Sequence, residues 1–320
     1  MAGTELAPAE ASSRPTGGTP ARPSTAPHRR RRPWGAVLTQ GPSLLVLGLV
    51  VLFPLAYSIK LSLESYSPVI PGHTGQFVGL DNYRRMLQDG DFAQAIGVTA
   101  IFVVCAVSLE TVLGVLVGLL IDRLQRMRRT AISVLLLPMI ITPLVVGLMF
   151  NFALNAQFGY LTWIFDKLGI SENSGVLNTG PGALIALILI DVWEWFPFVA
   201  LMVVAGLQTI PKEPLEAASI DGASALQSYR FVVLPMLLPI LGVAVLFRAT
   251  EAVREFDKVF VLTGGGPGSA TTVNDLYQYR VSFLDWDLSY GATLGLVSFA
   301  VVLGLSGLMY RALNKKEVQR

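Results

Sequence analysis

Asp191 and Glu194 sit three residues apart inside an apolar stretch, with Trp193 and Trp195 beside them and Pro197 just beyond. That spacing puts both carboxylates on one side of a helix. Charge in such a setting costs about 2.5–3.5 kcal/mol per residue by insertion scales. The pair therefore predicts either a wet cavity or basic partners. Carboxylates next to aromatic faces suit a sugar, which has hydroxyl edges and apolar ring faces. The alternative is a structural ion pair, for example with Arg248. Asn151 and Asn155, at i,i+4 spacing, would line an outer path or cap a helix end. Arg248, Glu251, Arg254 and Glu255 make a charged ladder, read as an ion-pair cluster or as a dock for an external protein.

Other chemistries lack their residues. His28 and His73 both lie in polar segments, and no apolar stretch contains histidine or a Gly-x-Ser-x-Gly elbow. A buried hydrolase needs a nucleophile with a base beside it. The single cysteine, Cys105, can form neither an internal disulfide nor a thiolate metal site. ATP hydrolysis needs a phosphate-cradling loop ending in Gly-Lys-Ser/Thr; no lysine here follows glycine or precedes Ser or Thr. Gly264–Gly268 is glycine-rich without that lysine, and is read equally as a flexible turn beside a protein dock or as loop punctuation. No catalytic residue, metal or cofactor is expected on this chain. A net charge of +2 is too small for a polyanion grip, so no nucleic-acid partner is expected.

The elements that must carry these residues are apolar. Of 320 residues, 52% are hydrophobic and 14% charged, against about 25% charged in soluble domains. Six stretches approach the roughly 20 residues that cross a bilayer, near 38–63, 95–121, 131–153, 183–207, 233–250 and 288–313. The expected fold class is all-α, an integral membrane six-helix bundle over residues 34–314. Pro54, Pro138, Pro143, Pro197 and Gly304 inside spans predict bends satisfied by neighbouring helices. Gly114 and Gly118 have the small-xxx-small spacing of close helix contact. At 1.5 Å per residue, Asp191 and Glu194 fall roughly 12 and 17 Å into span four, near the bilayer middle. Residues 1–33, rich in Ala, Pro, Thr, Ser and Gly and closing on Arg29–Arg32, predict a disordered leader with a topogenic anchor. With the N-terminus inside, 16 of the 24 Lys and Arg residues fall in inner segments. Both termini, including the tail 315–320, are therefore placed in the cytoplasm of a cell-membrane protein.

The inner connection at 208–232 is the most informative segment. Pro214 can open a helix, Glu213 and Glu216 favour its first turn, and Gly222 suits its end. Leu215, Ala218 and Ile220 would form its apolar side, and Ser224 with Gln227 has capping-box spacing for a second helix. The expected product is an acidic helix–turn–helix that can dock into a groove on a partner. Glu216-Ala217-Ala218, then Gly222, then Leu234-Pro235 resembles the coupling motif of ABC-importer permeases. Asp221-Gly222-Ala223 and Pro239 look like the carbohydrate subgroup, the maltose and glycerol-phosphate type. So do Phe77–Tyr83, Trp193–Phe198 and Phe256–Pro267.

That resemblance, over roughly 38–313, implies a type I importer fold. It implies a second permease subunit, most often a different chain, two ATPase subunits that use ATP and magnesium, and an extracytoplasmic solute-binding protein. The cargo would be a sugar or derivative, carried through a bundle surrounded by lipid. Glu216, Asp221 and Gly222 would enter a cleft on the ATPase, and Leu234-Pro235 would set the exit into span five, since a residue before proline resists helical torsions. The rival reading is an ion-coupled secondary transporter using Asp191 and Glu194, though no internal repeat of that class is visible.

Overall fold

A computed structural model describes residues 33–69, 71–124, 126–169 and 175–317. The leader, apart from Pro33, and the last three residues of the tail lie outside the described residues, as do the four arginines and His28. Two compact units divide at Phe53/Pro54. In the first, helix α1 (Pro33–Ser62) begins, and its apolar side chains from Leu45 to Phe53 are exposed. The helix continues into the second unit.

The second unit is a helical assembly with one small ribbon. Strands β1 (Glu64–Tyr66) and β2 (Thr74–Phe77) pair antiparallel. Next come α2 (Asp81–Gln88), α3 (Gly90–Arg123), α4 (Arg128–Leu135), α5 (Leu137–Ile140), α6 (Pro143–Ala153), α7 (Tyr160–Lys167) and α8 (Gly180–Leu207). The chain closes with α9 (Glu213–Ile220), α10 (Ala225–Ser228), α11 (Leu234–Val253), α12 (Asp257–Leu262), α13 (Asn274–Tyr279) and α14 (Leu288–Glu317). Among the described residues five stretches are long and apolar enough to cross a membrane: Gln40–Ser62, Gly90–Arg123, Gly180–Leu207, Ala225–Val253 and Leu288–Leu308.

The expected third span, 131–153, is not one continuous helix. It breaks into α4, α5 and α6: Pro138 lies at the second position of α5, and Pro143, which lacks an N–H, holds Thr142 extended at ψ 143° and so separates α5 from α6. Pro197 and Pro239, by contrast, sit inside uninterrupted α8 and α11.

The segment 77–83 is a staple. Val78 and Gly79 donate backbone N–H groups to Leu63 O, and Asn82 Nδ2 donates to Ser62 O and Glu64 O, both at 2.9 Å. Asp89 caps α3 by accepting from the Asp91 and Phe92 N–H groups, and the Tyr277 and Tyr290 hydroxyls donate to its other oxygen. Burial opposes its ionisation, but these four bonds outweigh burial and hold the Asp89 carboxyl below its usual range. Arg85 pairs with Asp287 at 2.6 Å, fixing α2 to the start of α14.

Helices α3 and α8 meet as the glycine spacing predicts. A Cβ at Gly114 would lie 2.5 Å from Val199 Cβ, and one at Gly118 would lie 2.7 Å from Val203 Cβ. Gly118→Leu is expected to force these helices apart, an overpacking of at least about 1–3 kcal/mol. A lowered detergent-extracted melting temperature and a smaller yield of folded protein would register it, whereas a Leu at Gly304, which has no neighbour within 4 Å, should leave both unchanged.

Candidate functional site

Helices α3, α8, α11 and α12 bring six charged residues together in the interior. Arg248 on α11 grips Glu110 on α3 with both arms, Nε to Oε2 at 2.7 Å and Nη2 to Oε1 at 2.8 Å. The same Nη2 donates to Asp191 Oδ2 on α8 at 2.9 Å. Lys258 on α12 donates to Asp191 Oδ1 at 2.6 Å and to Glu194 Oε2 at 2.8 Å, and its Nζ lies 3.0 Å from Glu255 Oε2. An ammonium has three protons, and three carboxylates surround this one. All but Glu255 are essentially solvent-free. The Arg248 guanidinium also stacks over the Trp195 ring, 4.6 Å from its centroid.

The structure therefore gives Asp191 and Glu194 basic partners. Arg248 was visible as one of them. Lys258 and Glu110 were missed. Glu110 is an acid inside span two, and the argument applied to Asp191 would have found it. Lys258 lies in the Phe256–Pro267 segment, but its partners are 64 and 67 residues away along the chain. The expected ladder at the end of span five is divided: Arg248 and Glu255 face the network, whereas Glu251 and Arg254 are exposed. The two tryptophans part company as well. Positions 193 and 195 are about 200° apart on a helix, so Trp193 instead meets Phe150 edge-on at 5.4 Å within the apolar core.

Asn151 ties α6 to α12, its Nδ2 donating to Val261 O and Leu262 O. Asn155 Oδ1 accepts from the Gln157 and Phe158 N–H groups, forming the turn after α6. The glycine run 264–268 is pinned rather than loose. Thr271 N–H donates to Gly265 O, the Thr271 hydroxyl to Gly266 O, and Arg280 to Gly264 O.

The segment between α8 and α11 folds as the expected helix–turn–helix. Glu213 and Glu216 occupy the first turn of α9, with Pro214 at its second position. Gly222 turns the chain at φ +76°, where glycine is strongly favoured, and Ala223 N–H donates back to Ala218 O at 2.9 Å. The Ser224–Gln227 capping box is formed. Leu215 packs on the Val203–Leu237 cluster, and Ala218 is half-buried. Ile220, placed on the same side by expectation, is 85% exposed; five residues from Leu215, it points about 140° away. Glu216, Ala217 and Asp221 are exposed too.

Leu234-Pro235 does not break the chain. Leu234 is helical at φ −61°, ψ −44°, and a π turn at Tyr229–Val233, closed by Leu234 N–H to Tyr229 O, feeds α10 directly into α11. The wider turn absorbs a proline that has no N–H to offer.

Residues 110–319 match the family described as "Binding-protein-dependent transport system inner membrane component". A Sinorhizobium fredii protein named as an ABC transporter permease is 36% identical over 306 residues, covering 93% of this chain and 97% of its own. The trehalose/maltose transport system permease protein MalF of Thermococcus litoralis is 35% identical over 265 residues, covering 83% and 88%. Among solved structures, a bacterial ABC transporter involved in the import of the acidic polysaccharide alginate superposes with a TM-score of 0.74. It shares 18% identity and covers 89% of this chain and 99% of that one. The fold is thus that of type I importer permeases, and by family match and identity over most of its length the chain belongs to the binding-protein-dependent transport system inner membrane components, the permease subunits of ABC importers.

Proposed function

We propose that this chain is one of two permease subunits, most often two different chains, in an importer that carries a sugar or sugar derivative into the cytoplasm. Two ATPase subunits and an extracytoplasmic solute-binding protein complete it, and both termini lie inside. The exposed α9–Gly222–α10 hairpin carries this reading. Beyond its acidic Glu216 and Asp221, it and the π turn that follows present Ile220, Leu226 and Phe231 at 85%, 77% and 68% exposure. Uncovered apolar side chains beside fixed acids suit a cleft on a second protein. A relative named for trehalose and maltose, 35% identical over 83% of this chain, supports the solute class.

In this reading ATP binding closes the ATPases and displaces the hairpin. Because α10, the π turn and α11 are continuous, the displacement reaches Arg248 and, through it, α3 and α8. The binding protein then releases its solute to the outward-facing bundle. Each partner must bind the two states unequally for such coupling to work.

Two outcomes test this, and a third tests the buried charge network. Gly222→Pro, which cannot adopt the positive φ, and Glu216→Lys should each abolish solute uptake and solute-stimulated ATPase activity while membrane insertion stays normal. Full uptake by either would defeat the coupling role. Ser219→Cys in a Cys105→Ser background should react with an impermeant thiol reagent only from the cytoplasmic face; labelling from outside would invert the topology. Arg248→Met should strand Glu110 and leave Asp191 with Lys258 alone, destabilising the protein by about 3–5 kcal/mol. Arg248→Lys should recover part of that, since it keeps the charge and loses the two-armed grip. Thermal melts of the purified complex read both.

A further inference from the structure

A second polar feature stands apart from the charge network. The end of α6, the turn after it, the 3-10 turn Val176–Asn178 and the start of the glycine loop line an open cavity of about 480 Å³, within the roughly 300–1,000 Å³ range of small-ligand sites. Four side-chain amides line it: Asn151, Asn155, Gln157 and Asn178. Leu154 and Leu262 supply apolar wall. Among the described lining residues none is charged.

Two of the amides are set by the backbone. Asn151 Nδ2 donates to the carbonyls of Val261 and Leu262, at 3.2 and 2.9 Å, which leaves its Oδ1 as an acceptor. Asn155 does the reverse. Its Oδ1 accepts from the N–H groups of Gln157 and Phe158, at 2.9 and 3.4 Å, leaving its Nδ2 as a donor. The anchoring partners dictate which end of each amide is engaged, so among the described lining residues Asn151 keeps a fixed acceptor and Asn155 a fixed donor. Gly175, at φ +74°, packs so closely on Ala156 that a Cβ there would lie 2.9 Å from the Ala156 Cβ, so the two residues close one edge of the cavity.

An ion finds no counter-charge among these residues. A hydroxyl, which donates and accepts at once, matches a fixed donor and acceptor, and the leucine wall matches the C–H face of a sugar ring. We propose that this cavity is a binding site for one neutral sugar unit, distinct from the Asp191–Arg248 network. The proposal rests on the sugar-import reading and extends it to a specific place on the chain.

The test uses the assembled complex, with ATPase subunits and binding protein, in nanodiscs. Ala156→Cys is introduced in a Cys105→Ser background, and its modification by a methanethiosulfonate reagent is timed. Maltose and trehalose are the probes, sodium glutamate is the control, and radiolabelled uptake of both sugars is measured in proteoliposomes alongside. At saturation, an imported sugar should slow modification at least five-fold, and glutamate should not. Asn155→Asp keeps the oxygen that the turn needs but replaces the free donor; it should raise the sugar concentration for half-protection about ten-fold with the melting temperature unchanged. No protection by a sugar that the complex imports overturns the site and leaves the import reading standing. Protection by the solute-free binding protein alone, with none by sugar, makes the cavity a protein contact and also overturns it. A complex that imports neither sugar overturns the import reading and takes the site with it.

Discussion

Two cations and four carboxylates meet in the interior, and the geometry joining them leaves little latitude to α3, α8, α11 and α12. An apolar cluster tolerates sliding because Leu, Val and Ile repack at small cost. A guanidinium held at 2.7 and 2.8 Å by one glutamate and at 2.9 Å by an aspartate tolerates far less, because each lost bond leaves a desolvated charge. Such networks are seldom stabilising relative to well-packed hydrophobic residues. Their consequence is selectivity among arrangements. Asp191 touches both cations, so it fixes α11 and α12 relative to α8 with a single side chain.

The close approach of α3 and α8 complements this constraint. Gly114 and Gly118 admit Val199 and Val203 with no room for a Cβ, on the same α3 that carries Glu110 and the same α8 that carries Asp191. Packing sets the distance between the two helices, and the Arg248 bridge sets their register. The two constraints reinforce one another: helices any farther apart could not place both carboxylates on one guanidinium.

Local rules were legible in the sequence, and long-range pairings were not. The Ser224–Gln227 box, the turn at Gly222 and the Gly114/Gly118 contact depend on neighbours within a few residues or on one helix face, and each formed as read. The Glu110–Arg248 pair spans 138 residues, and no spacing rule connects them. Hydropathy counted 131–153 as one span because it is blind to the N–H that Pro143 lacks. The rule that a residue before proline avoids helix misjudged Leu234, since it takes no account of a π turn upstream. The three- and four-residue strands at 64–77 are too short for alternation to reveal them.

The π turn at Tyr229–Val233 has a mechanical consequence under the coupling reading. Had Leu234-Pro235 made a corner, as its sequence suggests, the hairpin would hang from α11 by a flexible joint, and its motion would dissipate in torsional changes. Instead one helical run extends from Ala225 to Val253 and carries Arg248 near its far end. At 1.5 Å per residue, the roughly 20 residues between the capping box and Arg248 span about 30 Å. A tilt of that rod about the glycine-packed core moves the guanidinium in proportion to its length, and the guanidinium cannot move without Glu110 and Asp191. The hairpin's exposed apolar tip and the buried charges are therefore the two ends of one lever, and a proline absorbed without a break is what keeps it stiff.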